Sequence, residues 1–166
     1  DILLYDFDQF QAVKECYIKP YPSCRHTHCG IEAAIRLHKR IKKEIRKVVI
    51  YTYENAIYLT GVIDYPKKSD EAKFSLTYTL ACALHYGTFG FEQLQPDSVD
   101  KDVYELISKI KIVCDPDMEN IKKGIRGARV VVTDEDDESY EELVLTPKGE
   151  PENAFDWNDM AEKLSR

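Results

Sequence analysis

Apolar residues recur at intervals of three and four along two stretches of the chain, which is the spacing that places them on one face of an α-helix. The stripe of the first stretch contains Ile31, Ala34, Ile35, His38, Ile41 and Ile45. Ser23 precedes this stretch as a plausible N-cap. The second stretch covers residues 71–86 and is followed by Gly87, a residue type that commonly ends helices. The pattern predicts two long helices, of which the second is the more apolar.

Alternating or β-branched segments predict the strands. They are residues 10–18, 48–60 and 110–114, and a hairpin formed by residues 128–133 and 140–145 around an acidic run at 134–142. Residues 48–60 would form either one strand or two strands broken at Glu54 and Asn55. Pro20 and Pro22 would end the first strand, because proline cannot donate a ladder hydrogen bond.

The remaining helical patterns lie at residues 99–108 and 153–164. The whole order predicts an α+β fold in which two long helices pack on a mixed or antiparallel sheet of about four to five strands, followed by a terminal helix. No glycine-rich loop opens a helix after a strand, so the pattern does not favour a nucleotide-binding fold.

Composition narrows the possible partners. The chain has 166 residues, 43% of them hydrophobic, which suits one packed domain. Its net charge of -7 argues against nucleic acid as a partner, since phosphate binding needs a positive surface. Basic residues do cluster within residues 36–47. They could form an anion-binding patch or the solvated face of the first helix, and the helical period favours the solvated face.

The five cysteines, Cys16, Cys24, Cys29, Cys82 and Cys114, form an odd set without paired spacing. The sequence shows neither a signal peptide nor a long apolar span. We therefore expect a reduced, cytoplasmic protein without a membrane partner. The chain does not begin with methionine and opens in the middle of a pattern, so we expect it to be a piece of a longer protein.

Reactive side chains are concentrated in residues 19–29 (KPYPSCRHTHC), between the end of a predicted strand and the start of a helix. This short segment contains a lysine, an arginine, two histidines and two cysteines. The N-terminus of a helix exposes unpaired N–H groups and a positive dipole. The cationic side chains beside this helix start therefore indicate a binding site for a carboxylate or a phosphate.

Two other kinds of chemistry are possible for this segment. Cys24 and His28 are one helical turn apart, as in a metal site, but no second Cys or His pair follows to complete four ligands. We expect neither a metal nor another cofactor. Cys24 could also be a nucleophile, because a helix start and the neighbouring Arg25 lower a thiol pKa. A packing role is the favoured interpretation, since no third partner is recognisable.

Residues 19–28 (KPYPSCRHTH), followed by an alanine-rich helix, resemble the KPYPxCRxxH segment of the MmgE/PrpD family. Residues 74–78 (FSLTY) resemble the family's FSxxY stretch, with Gly87 and Gly90 after it. The closing strands and return helix of the family are similar to residues 113–117, 127–132 and 151–154 before Trp157. The family includes 2-methylcitrate dehydratase, cis-aconitate decarboxylase and iminodisuccinate epimerase.

The resemblance implies how the chain is organised. Family members combine a large helical domain with a smaller α+β lid, hold the active site between them and are commonly homodimers. Residues 1–152 would then be the lid, and residues 153–166 would begin the helix that returns to the helical domain. The implied partners are a small polycarboxylate substrate, the helical domain and a second copy of the chain.

The resemblance also implies roles for particular residues. Lys19 matches the family's active-site lysine and Tyr78 its lid tyrosine, so both are expected to be catalytic. Substrate-binding roles fall on Arg25, His26, His28 and Ser75.

Cys24 departs from the decarboxylase pattern, which has a histidine at this position. The expected reaction is therefore dehydration or epimerisation by proton abstraction next to a carboxylate. The isolated chain is expected to be inactive, because the base would come from the helical domain. The alternative is a non-catalytic module that binds an anion or a partner.

Overall fold

The computed structural model describes residues 16–165, and they form two compact units. The first unit contains residues 16–20 together with 148–165, and the second is Tyr21–Pro147. The predicted strand at 10–18 lies largely outside the described residues. The predicted boundary between lid and return helix at residue 152 stays a prediction.

The second unit is built on a four-stranded mixed sheet. The strands of the described chain are β1 (Ile45–Thr52), β2 (Ile110–Cys114), β3 (Glu119–Asn120), β4 (Ile125–Arg126), β5 (Ala128–Asp134) and β6 (Ser139–Val144). The sheet has the order β2-β1-β5-β6, in which β1 and β2 are parallel and the other pairs antiparallel. β3 and β4 form a separate two-stranded ribbon. The predicted mixed sheet and the closing hairpin of β5 and β6 are thus confirmed.

The described residues contain six α-helices: α1 (His28–His38), α2 (Glu54–Thr60), α3 (Ser69–Ala72), α4 (Leu76–Tyr86), α5 (Lys101–Ser108) and α6 (Trp157–Ser165). The expectation of two long helices is wrong in this respect, because five of the six have seven residues or more. The predicted helix at 71–86 is divided into α3 and α4. Ser75 interrupts it, with extended backbone and a side chain that caps the new helix start.

Residues 54–60 were expected to be a strand and form the helix α2 instead. Their β-branched and aromatic residues favour a strand locally, but tertiary packing overrides such propensity. Ala56 and Thr60, four residues apart, are the two that α2 buries. Ala56 packs with Tyr53 and Met118 in a small second core. This contact with residues distant in sequence explains the difference.

The main core lies where α1 and α4 pack against each other and α1 packs against β5 and β6. Ile31, Leu37, Ile50, Leu80 and Val130 are fully buried there. Burying a side chain of this size stabilises the fold by about 2 kcal/mol. The core therefore fixes α1, and with it the segment that leads into α1.

The hairpin is held by a carboxylate rather than by a glycine turn. Asp134 is fully buried, and its Oδ1 accepts hydrogen bonds from the backbone N–H groups of Asp136 and Glu138, both at 3.0 Å. Such side-chain to backbone bonds fix a turn geometry.

We expect Asp134→Ala to lower the free energy of unfolding by about 1 to 2 kcal/mol, because two partly buried backbone N–H groups lose their acceptor. Urea denaturation would measure the loss. Asp136→Ala is the control, since Asp136 makes an exposed ion pair with Lys43, which is worth about 0 to 1 kcal/mol. Equal losses in the two variants would contradict this role of Asp134.

In the first unit, the N–H of Ile18 donates to the carbonyl of Gly149 at 2.8 Å. Lys148 pairs with Asp159 of α6 at 2.7 Å, and the Nζ of Lys163 donates to the carbonyl of Lys19 at 2.5 Å. The predicted terminal helix is present as α6. Across residues 16–165, no helix combines the length and apolar character needed to cross a membrane.

Candidate functional site

A single 3-10 turn, Arg25–Thr27, leads into α1. The N–H of Cys24 donates to the carbonyl of Lys73 at 2.9 Å, which ties the turn to the residue before Phe74. The N-cap position of α1 is occupied by Thr27, whose side chain makes no capping hydrogen bond, and not by Ser23 as expected from the sequence. The Ser23 hydroxyl lies 2.8 Å from that of Thr27 and so holds the turn instead.

The phenol of Tyr53 lies beside this turn, directly after the end of β1. Tyr53 follows Thr52, the last residue of β1, and its side chain is 1% exposed. Its hydroxyl is hydrogen-bonded to Nδ1 of His26, and the two ring centroids are 5.6 Å apart. His26 itself is partly exposed. The contact fixes one side of the imidazole and leaves part of the ring open to a ligand.

Arg126 of β4 adds a cation to the same place. Its carbonyl accepts a hydrogen bond from the Cys29 thiol of α1 at 3.1 Å, which holds the ribbon against the start of the helix. The pKa of His26 is lowered first by burial and then by the positive charges of Arg126 and Arg25. His26 is therefore neutral at pH 7, under the influence of two positive guanidinium groups.

The start of α1 thus combines Arg25, His26 and Arg126 with the positive end of a helix of eleven residues. Arg25 is 7% exposed and Arg126 is exposed. Guanidinium groups hold carboxylates and phosphates with paired hydrogen bonds. The arrangement favours an anionic ligand and is the candidate functional site.

Two of the predicted substrate-binding residues lie in the interior. His28 is fully buried, its Nε2 lies 3.3 Å from the carbonyl of Ser23, and its ring meets that of Tyr21 edge-on at 5.4 Å. Ser75 is also fully buried, and its hydroxyl accepts the N–H of Tyr78 at 3.1 Å. Of the predicted binding residues, the structure brings Arg25 and His26 together and gives these two packing and capping contacts.

Tyr78 is also an interior residue. The resemblance gives it a catalytic role, and its side chain is 0% exposed. Its hydroxyl donates to the carbonyl of Gln93 at 2.7 Å. Burial raises its pKa far above the ordinary value, so the phenol keeps its proton. Lys19 is exposed and belongs to the first unit.

We expect Tyr78→Phe to lower the free energy of unfolding by about 1 kcal/mol, because the buried carbonyl of Gln93 loses its donor. Urea denaturation measures this change. Tyr58→Phe is the control, since Tyr58 is 76% exposed and the change should leave stability as it is. A Tyr78→Phe variant as stable as the parent sequence would show that the hydroxyl makes no such bond.

Neither a reactive Cys82 thiol nor a metal-binding cluster of the described residues contributes to this site. Burial raises the pKa of Cys82 to about 12, which leaves almost no thiolate at neutral pH. Within residues 16–165, no group of three or more His, Cys, Asp or Glu side chains could hold a metal ion.

A groove at the other end of the sheet is a weaker candidate. It is lined by His38, Lys43, Glu44, His85, Glu105 and Lys109, among others. Lys43 pairs with Asp136, and Lys109 pairs with Glu44 at 3.0 Å. Its lysine charges are thus neutralised within the fold.

Tyr53 and Arg126 were not recognised from the sequence. Tyr53 lay within a predicted strand, and Arg126 in a stretch with no pattern of its own. Both reach the site through contacts with residues 27 or more positions away. Neither position carried a local signal.

The fold and the site together define a class of protein. It is a mixed α/β unit whose site, at the start of a buried helix, favours an anionic ligand. Residues 21–166 match the family model of the MmgE/PrpD C-terminal domain, and the chain belongs to the MmgE/PrpD family. No curated protein matches the sequence.

Proposed function

We propose that this chain forms one wall of the active site of a parent protein, meaning this chain joined to the family's helical domain, that acts on a small di- or tricarboxylic acid. Members of the family are generally enzymes. The observation that carries the proposal is the contact of His26 with Tyr53 at the start of α1, where the positive charges of Arg126 and Arg25 act on the imidazole. Two cations suit a ligand with more than one carboxylate.

The proposed reaction starts with removal of a proton from the carbon next to a carboxylate. The electron pair then forms an enolate-like group, whose charge the cations stabilise by about 3 kcal/mol for each well-placed donor. In dehydration, the pair forms a C=C bond and hydroxide leaves the adjacent carbon, taking up the proton as water. In epimerisation, a proton returns to the same carbon on the other face.

The base is proposed to come from the helical domain. His26 is held by Tyr53 and is proposed to serve in binding. Lys19 is proposed to contact a carboxylate as a point charge, a role carried over from the resemblance to the family. Tyr78 lies on α4 within the core, and proton donation is the role proposed for it, to be tested in the parent.

Exposed apolar side chains support a covering partner. Tyr58, Leu59, Val62, Tyr65, Phe74 and Phe91 are large and exposed. Tyr58 and Leu59 lie on α2, which contacts the Cys24 turn, and Phe74 follows Lys73, whose carbonyl accepts the N–H of Cys24. Clustered exposed apolar residues mark interaction surfaces. We propose that the helical domain covers them, with a second copy of the parent completing a homodimer.

Assaying the parent protein with a panel of di- and tricarboxylic acids tests this function. We expect water loss or epimerisation with at least one acid and no turnover by the isolated chain. Tight binding of citrate by the parent without turnover of any acid would support the anion-binding module instead. Turnover by the isolated chain would contradict the proposal of a half-site.

A further inference from the structure

The surroundings of Tyr53 and His26 determine which of the two groups donates the proton in their hydrogen bond. The Tyr53 side chain is 1% exposed, so its single hydroxyl proton has no bulk water to donate to. Among the contacts of the described residues, Nδ1 of His26 is the hydrogen-bond partner of this hydroxyl. A buried O–H that donates to nothing costs about 1 to 3 kcal/mol. The phenol therefore donates, and Nδ1 accepts.

The charges around Tyr53 and His26 favour the same arrangement, in which the phenol carries the proton. Burial, and then the positive charges of Arg126 and Arg25, disfavour a second proton on the ring of His26. Cys29 and Glu119 are the other ionisable groups that act on Tyr53, whose pKa is raised above its ordinary value chiefly by burial. Both partners are thus neutral at pH 7, with the proton on the phenol.

A neutral imidazole that accepts at Nδ1 carries its own proton on Nε2. We infer that Tyr53 is a positioning residue that holds His26 as its Nε2–H tautomer, so that His26 offers a hydrogen-bond donor to a carboxylate or enolate oxygen of a ligand bound near Arg25 and Arg126. The identity of the oxygen rests on the proposed function, whereas the tautomer does not.

A histidine in such a site can act either as a base or as a neutral hydrogen-bond donor. A base needs a free lone pair on the nitrogen that faces the substrate, and Nε2–H has none. A neutral donor stabilises a developing negative oxygen and needs no proton transfer. His26 would then bind and orient the substrate, and the proton would be taken by another group.

Nitrogen NMR of the whole chain, labelled with 15N-histidine, tests the tautomer directly. We expect Nδ1 of His26 to resonate as an unprotonated nitrogen and Nε2 as a protonated one at pH 7, with His26→Gln identifying the signals. In Tyr53→Phe the ring is kept and the donor is lost, so the Nε2–H form should lose its dominance. Tyr104→Phe is the control, because its hydroxyl donates to Pro96 at 2.7 Å and should leave the His26 signals unchanged.

A protonated Nδ1 in the unmodified chain would overturn the inference, even if Tyr53→Phe does not fold. So would an Nε2–H signal that Tyr53→Phe leaves unchanged. A parent protein that turns over no acid would count against the proposed function alone, since the NMR signals do not depend on turnover. Expected tautomer signals together with an active parent whose kcat/KM falls in Tyr53→Phe but not in Tyr104→Phe would support both.

Discussion

Replacing Arg126 by glutamine is expected to lower kcat/KM of the parent protein for its polycarboxylate about thirtyfold, or by about 2 kcal/mol of transition-state stabilisation. Arg126 is exposed on β4, and glutamine keeps much of its length, so the fold should tolerate the change. The lost charge is one of the two that lower the pKa of His26 in addition to burial. Steady-state kinetics of the parent and the variant measure the effect.

The matched control is Arg129→Gln, which removes the same charge from β5. Arg129 lies over the ring of Tyr51, 3.9 Å from its centroid, and pairs with Glu141 at 3.4 Å. It exerts none of the charge effects that lower the pKa of His26. We expect its kcat/KM to stay near that of the parent. Equal losses in the two variants would show that the net charge matters and that the position of Arg126 does not.

Gly87→Ala is expected to lower the free energy of unfolding of the chain by about 3 kcal/mol. Gly87 ends α4 with φ at 68°, a conformation that costs an L-residue about 1 to 2 kcal/mol. An added Cβ would also lie 2.5 Å from Cδ2 of His38. The His38 ring is held because its Nδ1 lies 2.8 Å from the carbonyl of Leu84, so it cannot move without losing that bond. Overpacking of this kind costs about 1 to 3 kcal/mol.

Gly90→Ala is the control for Gly87→Ala, because both glycines follow α4 within four residues. Gly90 is outside the left-handed region, and an added Cβ would meet only Oε1 of Gln93, at an ordinary 3.6 Å. Its urea midpoint should stay close to that of the parent sequence. A similar loss in both variants would mean that any side chain after α4 is harmful, and would contradict the specific contact with His38.

Local patterns were enough to predict the elements whose neighbours in the fold are also near in sequence. The hairpin of β5 and β6 and the end of α4 at Gly87 are of this kind, because alternation and a glycine cap act over a few residues. The mixed sheet followed from the order of the elements. Residues 54–60 could not be predicted, since Met118, which packs against Ala56, is more than sixty positions away.

Part of the candidate site could also be predicted from local sequence patterns. The density of Arg25 and His26 before a helix marked the anion-favouring turn, and the structure keeps them together. Ser75 and Tyr78 belong to a segment that resembles the family's motif, but a motif does not say which side chains face the core. Tyr53 and Arg126 meet His26 only after β1 and the ribbon are in place, so no local pattern could identify them.

Solvent deuterium exchange reports removal of the proton next to a carboxylate, in epimerisation when a proton returns to the carbon and in dehydration when water adds back. The parent protein is incubated in D2O with the acid that it turns over fastest until substrate and product reach equilibrium, and the recovered acid is followed by NMR. We expect deuterium at the carbon beside one carboxylate, with about thirtyfold slower incorporation by Arg126→Gln than by Arg129→Gln. Turnover without any deuterium at that carbon, or equal rates in the two variants, would contradict this proposal.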